Sequence, residues 1–118
     1  MASIKTIMSR SSPRVFSPYV RECATLLGQL IRLARKEKRW TQQQLADRAG
    51  ISRATLKKIE KGNLKCEIGL VFELAALTGV TLFEPDRGRV TMDIDLVTAK
   101  LALLPKSVRT KRKVKDDF

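Results

Sequence analysis

The chain has 118 residues, room for one domain of modest core and not two. Its 24 Lys and Arg stand against 12 Asp and Glu, a net charge of +12, which is the electrostatic footprint of a polyanion binder. Charge alone would also suit a membrane surface or an acidic protein, so the motifs must decide. There is no His and only two distant cysteines, Cys23 and Cys66, so a zinc site cannot be assembled and no metal or other cofactor is expected. Both cysteines fall in apolar helical patterns and are expected to be buried as small hydrophobes. A disulfide is not expected in a reducing compartment. No apolar run reaches 18 residues, so no membrane span is expected. The N-terminus lacks the apolar core of a signal peptide, which points to the cytoplasm.

Residues 1–16 carry Lys5, Arg10 and Arg14 among Ser and Thr, a flexible basic arm. Two readings stand: a frayed terminus, or an arm that follows a phosphate backbone or minor groove. Ser17-Pro18 then reads as a capped helix start. Tyr19, Val20, Cys23, Leu27, Leu30, Ile31 and Ala34 recur at three- and four-residue steps, predicting an amphipathic helix to about Lys38. Its first turns could cover the core or meet a second copy. Arg35, Lys36, Lys38 and Arg39 crowd its end, where cations complement the helix dipole and lie near enough to the next motif to meet phosphate. Trp40 is expected in the core beside this helix.

The stretch Thr41–Gly62 predicts two short helices joined by a tight turn. Thr41 caps the first, with Gln44 in the capping-box position three residues on. Leu45, Ala46 and Ala49 form its apolar face. Gly50 sits where a helix ends with positive φ, Ile51 is a buried hinge, and Ser52 caps the second helix, which buries Leu56 and Ile59. This is a helix-turn-helix pattern, whose second helix can enter a DNA major groove. Asn63–Lys65 is a polar loop, and residues 67–78 predict a further helix ended by Gly79.

Beyond Gly79, residues 80–84 are β-prone and residues 84–88 read as a turn cluster. Residues 89–95 alternate, but Ile94, Val97, Leu101 and Leu104 recur at helical steps. The expectation is a short strand at 80–84 and a helix from about Asp93 to Leu104. An unpaired strand edge in so small a domain would be removed by pairing with a second copy, so a homodimer is expected. Residues 105–118 hold six basic side chains before Asp116-Asp117-Phe118 and are expected to be a disordered tail, either solvated or ordering on a partner.

Thr41-Gln42, Leu45-Ala46, Gly50-Ile51-Ser52, Ile59-Glu60, Gly62, Leu74-Ala75 and Gly79-Val80 together resemble the phage-repressor, or Xre-type, helix-turn-helix family over roughly residues 26–83. The resemblance implies an all-α, lambda-repressor-like domain of four to five compact helices, here followed by the short dimerising strand. The organisation expected is an arm at 1–16, the DNA-binding domain at 17–84, a dimerisation or partner-binding extension at 85–104 and a tail at 105–118. It implies double-stranded DNA, as an inverted-repeat operator, for a partner. With no P-loop, metal-ligand cluster or His base in the sequence, no enzymatic activity is expected, an unrecognised nuclease being the enzymatic alternative. Carried over residue by residue, it places Arg53, Ala54 and Lys58 against bases and Gln42 against phosphate. Exposure on the second helix adds Thr55 and Lys57 as base candidates. Gln43, Asn63 and Lys65 are expected on phosphate. The family often has Gln where this chain has Arg53 and Lys58, which would shift preference from adenine towards guanine, because Arg pairs bidentately with guanine O6 and N7. Glu60 is expected to brace the motif by contacting a basic side chain.

Leu103-Leu104-Pro105-Lys106 followed by a basic stretch and a short acidic end also resembles the antitoxins of the HipB type. That narrower resemblance implies a HipA-like kinase toxin as partner and autoregulation of a shared operon at the bacterial nucleoid. A stand-alone Xre-type repressor with no toxin is the alternative.

Overall fold

In the computed structural model, residues 14–83 and 86–107 are described. Five helices form among them: α1 (Pro18–Glu37), α2 (Gln42–Ala49), α3 (Arg53–Glu60), α4 (Ile68–Thr78) and α5 (Arg87–Ala102). The chain divides into two compact units, Met1–Val80 and Thr81–Phe118. The expected arm and tail lie almost wholly outside the described residues.

The first unit is built by local signals and closed by one core. Ser17 caps α1 by accepting from the Val20 N–H at 3.3 Å, with Pro18 in the first turn, where a missing N–H costs nothing. The helix ends with Arg39 at φ 61°, a left-handed conformation that an L side chain adopts at a cost of about 1–2 kcal/mol. That turn lets the Trp40 N–H donate back to the Arg35 carbonyl at 3.1 Å. Ile31, Leu45, Ala46, Leu56, Ile59 and Leu74 form the buried cluster, drawn from α1, α2, α3 and α4. Leu27, Trp40, Ile51, Cys66, Val71 and Val80 pack around it. Trp40, expected in the core, is half-buried and packs at its margin. Arg48 stacks its guanidinium 4.3 Å from the ring centroid.

Gly28 decides how closely α1 approaches the end of α3. A Cβ there would lie 2.6 Å from the carbonyl oxygens of both Ile59 and Glu60. Only a residue without Cβ permits this packing distance.

Several expectations need correction. Cys23 is exposed; it belongs to an outer stripe with Tyr19, Leu26, Leu30 and Leu33, about a third of a turn round from the Leu27–Ile31 face that enters the core. Cys66 is half-buried against the core, and burial pushes its thiol up in pKa, partly opposed by the Lys58 ammonium nearby.

The expected strand at 80–84 is not present among the described residues. Gly79 turns the chain, the Val80 N–H donates to the Ala75 carbonyl at 2.8 Å, and residues 82–83 form a bend rather than a ladder. Among the described residues there is no neighbouring strand for it to hydrogen-bond. Glu84 lies outside the described residues. The last helix begins at Arg87, six residues before the expected Asp93, because the Asp86 carboxylate accepts from the Gly88 N–H at 3.0 Å and starts it.

Candidate functional site

The site is carried by α2, the turn after it, and α3. Thr41 and Gln44 form the reciprocal capping box: the Gln44 N–H donates to Thr41 Oγ1 at 3.0 Å, and the Thr41 N–H to Gln44 Oε1 at 2.8 Å. Gly50 takes φ 71° and ψ 32°, and the following Ile51 N–H returns to the Ala46 carbonyl at 3.0 Å. This left-handed cap sets the bend between α2 and α3. Ser52 then caps α3, accepting from the Thr55 N–H at 3.1 Å while its hydroxyl donates to Thr55 Oγ1 at 2.9 Å.

Leu56, Ile59 and Glu60 are the buried face of α3. Arg53, Ala54, Lys57 and Lys58 lie on its exposed side, with Lys61 following in the same exposure class. Thr55 is half-buried, and its hydroxyl is already engaged by Ser52.

Glu60 is what holds this helix to α1. Arg35 Nε donates to Glu60 Oε2 at 2.7 Å and Arg35 Nη2 to Oε1 at 3.1 Å, a two-pronged pair with side-chain exposures of 7% and 3%. Arg35 Nη1 also donates to the Trp40 carbonyl at 2.9 Å, and Gln42 Nε2 donates to Glu60 Oε1 at 3.2 Å. The carboxylate therefore ties together α1, the first residue of α2 and the end of α3. Charge-assisted bonds of this fork geometry are the strong kind. The basic partner of Glu60 is thus Arg35. Spent in this way, Arg35 is withdrawn from any phosphate role that its place in the Arg35–Arg39 cluster suggested.

The pairing also fixes the sign of the surface. Between Gly50 and Lys65 the sequence holds five basic residues, Arg53, Lys57, Lys58, Lys61 and Lys65, and one acid, Glu60. That acid is inside and neutralised, so the outward charge of the segment is uncompensated and positive. A cationic surface of this kind raises the local concentration of a polyanion.

The remaining candidates are placed as follows. Gln42 is half-buried, with one amide N–H committed to Glu60 and a second one left. Gln43 is exposed, but its amide donates to Asp47 Oδ1 at 2.8 Å. Asn63 Oδ1 accepts from the Lys65 N–H at 2.7 Å, an Asx-type turn that fixes the loop after α3 and leaves both side chains exposed. The structure therefore gathers Arg53, Ala54, Lys57 and Lys58 on one exposed side of α3. Thr55 and Gln43 are engaged in local bonds. Lys61 was missed by the reading of the sequence, although it continues the Arg53–Lys57 row at four-residue spacing. Among the described residues no cluster of His, Cys, Asp or Glu could hold a metal ion, and no helix is long and apolar enough to cross a membrane.

Residues 31–84 match a family model described as helix-turn-helix, of the Xre type. The match runs from the middle of α1 through α4, so it contains every candidate residue named above. Comparison with curated proteins and with solved structures returned no match. Over residues 31–84 the chain is thus similar to the Xre-type helix-turn-helix family.

Proposed function

We propose that this chain is a sequence-specific DNA-binding transcriptional repressor that acts as a homodimer on an inverted repeat, each copy reading one half-site with α3. The observation that carries the reading is the exposed, uncompensated row Arg53, Ala54, Lys57 and Lys58 on a helix whose only carboxylate is turned inward to Arg35. In this reading Arg53 and Lys58 meet base edges and Ala54 meets a thymine methyl. Lys57 flanks them, and Thr55 contributes mainly by holding the cap. Gln42 spends its second amide N–H on phosphate, and Gln43, Asn63, Lys61 and Lys65 supply backbone contacts. The work of the protein is binding rather than catalysis.

Base contacts specify and phosphate contacts position, so two substitutions should behave differently. Arg53→Ala should cost about 1–3 kcal/mol on the operator and relax preference at one base pair of each half-site. Lys65→Ala should weaken operator and random duplexes alike and flatten the salt dependence by roughly 0.9 in slope per lost phosphate contact. Titrations at several salt concentrations check both. Equal losses on operator and random DNA for Arg53→Ala would refute its role.

A second reading adds a protein partner. The sequence Leu103-Leu104-Pro105-Lys106, with the basic stretch and acidic end beyond it, favours an antitoxin of the HipB type that also holds a HipA-like kinase inactive. The stand-alone repressor fits the family match equally. Co-expression with the neighbouring gene separates them: a co-purifying kinase-like protein supports the antitoxin, and its absence supports the repressor.

A further inference from the structure

Among the described residues, four adopt the left-handed backbone conformation, and three of them are glycines: Gly50, Gly62 and Gly79. The fourth is Arg39, at φ 61°. Each stands just past the end of a helix. Glycine takes this conformation freely because it has no Cβ to clash. At residue 39 the chain instead accepts a strain that glycine would remove. Such strain persists where the surroundings over-determine it, and it gathers at functional sites.

The surroundings here are Arg35 and the end of α1. The Trp40 N–H donates to the Arg35 carbonyl at 3.1 Å, and Arg35 Nη1 donates to the Trp40 carbonyl at 2.9 Å. The Arg39 N–H donates to the Lys36 carbonyl at 2.9 Å. All of these bonds would survive with glycine at residue 39, so the turn itself gives no reason for an arginine. The neighbouring cations are accounted for. Arg35 holds Glu60. Lys38 Nζ lies 5.5 Å, and the Arg48 guanidinium 4.3 Å, from the centroid of the Trp40 ring. Lys36 sits in regular helix, where the dipole favours a cation. Arg39 is exposed and has no hydrogen bond, ion pair or ring contact among the described residues, Glu37 included.

We infer that the Arg39 guanidinium is a phosphate contact of the DNA interface, kept at a strained position at the expense of stability. Its planar fork suits two oxygens of one phosphate. It precedes Gln42 by three residues, a stretch of at most about 10 Å, so the two side chains serve neighbouring parts of one backbone. The inference rests on the DNA-binding reading and adds to it a residue chosen by backbone strain rather than by place on α3.

A phosphate contact carries no sequence information, so a random-sequence duplex titrated over a range of salt is a sufficient probe, with thermal melting of the same chains without DNA. Arg39→Gly should raise the melting temperature by about 4 °C. It should also weaken the duplex by about five- to tenfold and flatten the salt dependence by roughly 0.9 in slope. Arg39→Lys, which keeps the charge and the strain, should melt like the wild type and bind within about threefold of it. Lys100→Ala removes one charge from the second unit and should leave the slope unchanged. Four results would overturn the inference while leaving the DNA-binding reading in place: Arg39→Gly binding as tightly as the wild type; Arg39→Gly melting no higher than the wild type, which would mean that no stability is given up; Arg39→Lys as weak as Arg39→Gly; or an equal loss in Lys100→Ala, which would mean that overall charge alone is felt. A folded wild type that binds no duplex even at low salt would instead remove the DNA-binding reading, and this inference with it.

Discussion

The Arg35–Glu60 pair offers the most demanding test of how the two-helix motif is held. Arg35→Met removes the guanidinium and its three donated bonds, at 2.7 and 3.1 Å to the carboxylate and 2.9 Å to the Trp40 carbonyl. Glu60 then stays buried with only the Gln42 amide, at 3.2 Å. Breaking a buried pair from one side costs about 3–5 kcal/mol, because the remaining charge is uncompensated. A domain of ordinary stability has about 5–15 kcal/mol in all, so the variant should be close to unfolding at room temperature. Arg35→Met with Glu60→Leu removes both charges and fills the space with apolar side chains. Such exchanges are often neutral or stabilising. Here two neutral groups, the Trp40 carbonyl and the Gln42 amide, lose a partner, at about 1 kcal/mol each. The double variant should therefore lie within about 2 kcal/mol of the wild type and above Arg35→Met alone. Urea denaturation followed by circular dichroism of the wild type, Arg35→Met, Glu60→Leu and the double variant gives the four stabilities and hence the coupling energy. A loss below about 1 kcal/mol for Arg35→Met, or additive losses in the double variant, would refute the claim that this pair pins α3 to α1.

Gly28→Ala should destabilise by about 1–3 kcal/mol or more, by overpacking against the two carbonyls 2.6 Å from the new Cβ. Helix propensity alone would predict a gain of about 1 kcal/mol, so the sign of the shift in thermal melting is decisive. Ser52→Ala should cost about 1 kcal/mol by uncapping α3, and should lower melting temperature and DNA affinity together. Cys23 should react with a thiol reagent much faster than Cys66 when followed by mass spectrometry. Cys23 is exposed, whereas Cys66 is half-buried with its pKa raised by that burial, so less of it is thiolate near neutral pH.

The parts of the fold that were legible in the sequence are those written in neighbouring residues. The Thr41–Gln44 capping box, the left-handed Gly50 and the Ser52 cap each depend on groups within five residues, and each formed as expected. The exposed row of α3 followed from helical spacing once Leu56 and Ile59 were assigned to the core. What escaped was set by contacts distant in sequence. The partner of Glu60 is 25 residues away, and nothing local to Glu60 says which basic side chain it meets; only the packing of α1 on α3 selects Arg35. The same packing demands Gly28, which resembles a mild helix defect in the sequence alone. Cys23 was misplaced because α1 carries two apolar stripes, and the three- and four-residue steps do not say which one faces the core. Around residues 80–95 local propensity misled: β-prone residues after Gly79 found no strand to pair with among the described residues, while the Asp86 cap extended the last helix towards the N-terminus.

The central claim is that the outward side of α3 meets base edges. Its most direct measurement is the binding of wild type and of Arg53→Ala with Lys58→Ala to the operator and to a random duplex of equal length, at one fixed salt concentration. The account predicts that the doubly substituted chain, still folded by circular dichroism, binds the operator no more tightly than the random duplex. An undiminished preference for the operator would contradict it.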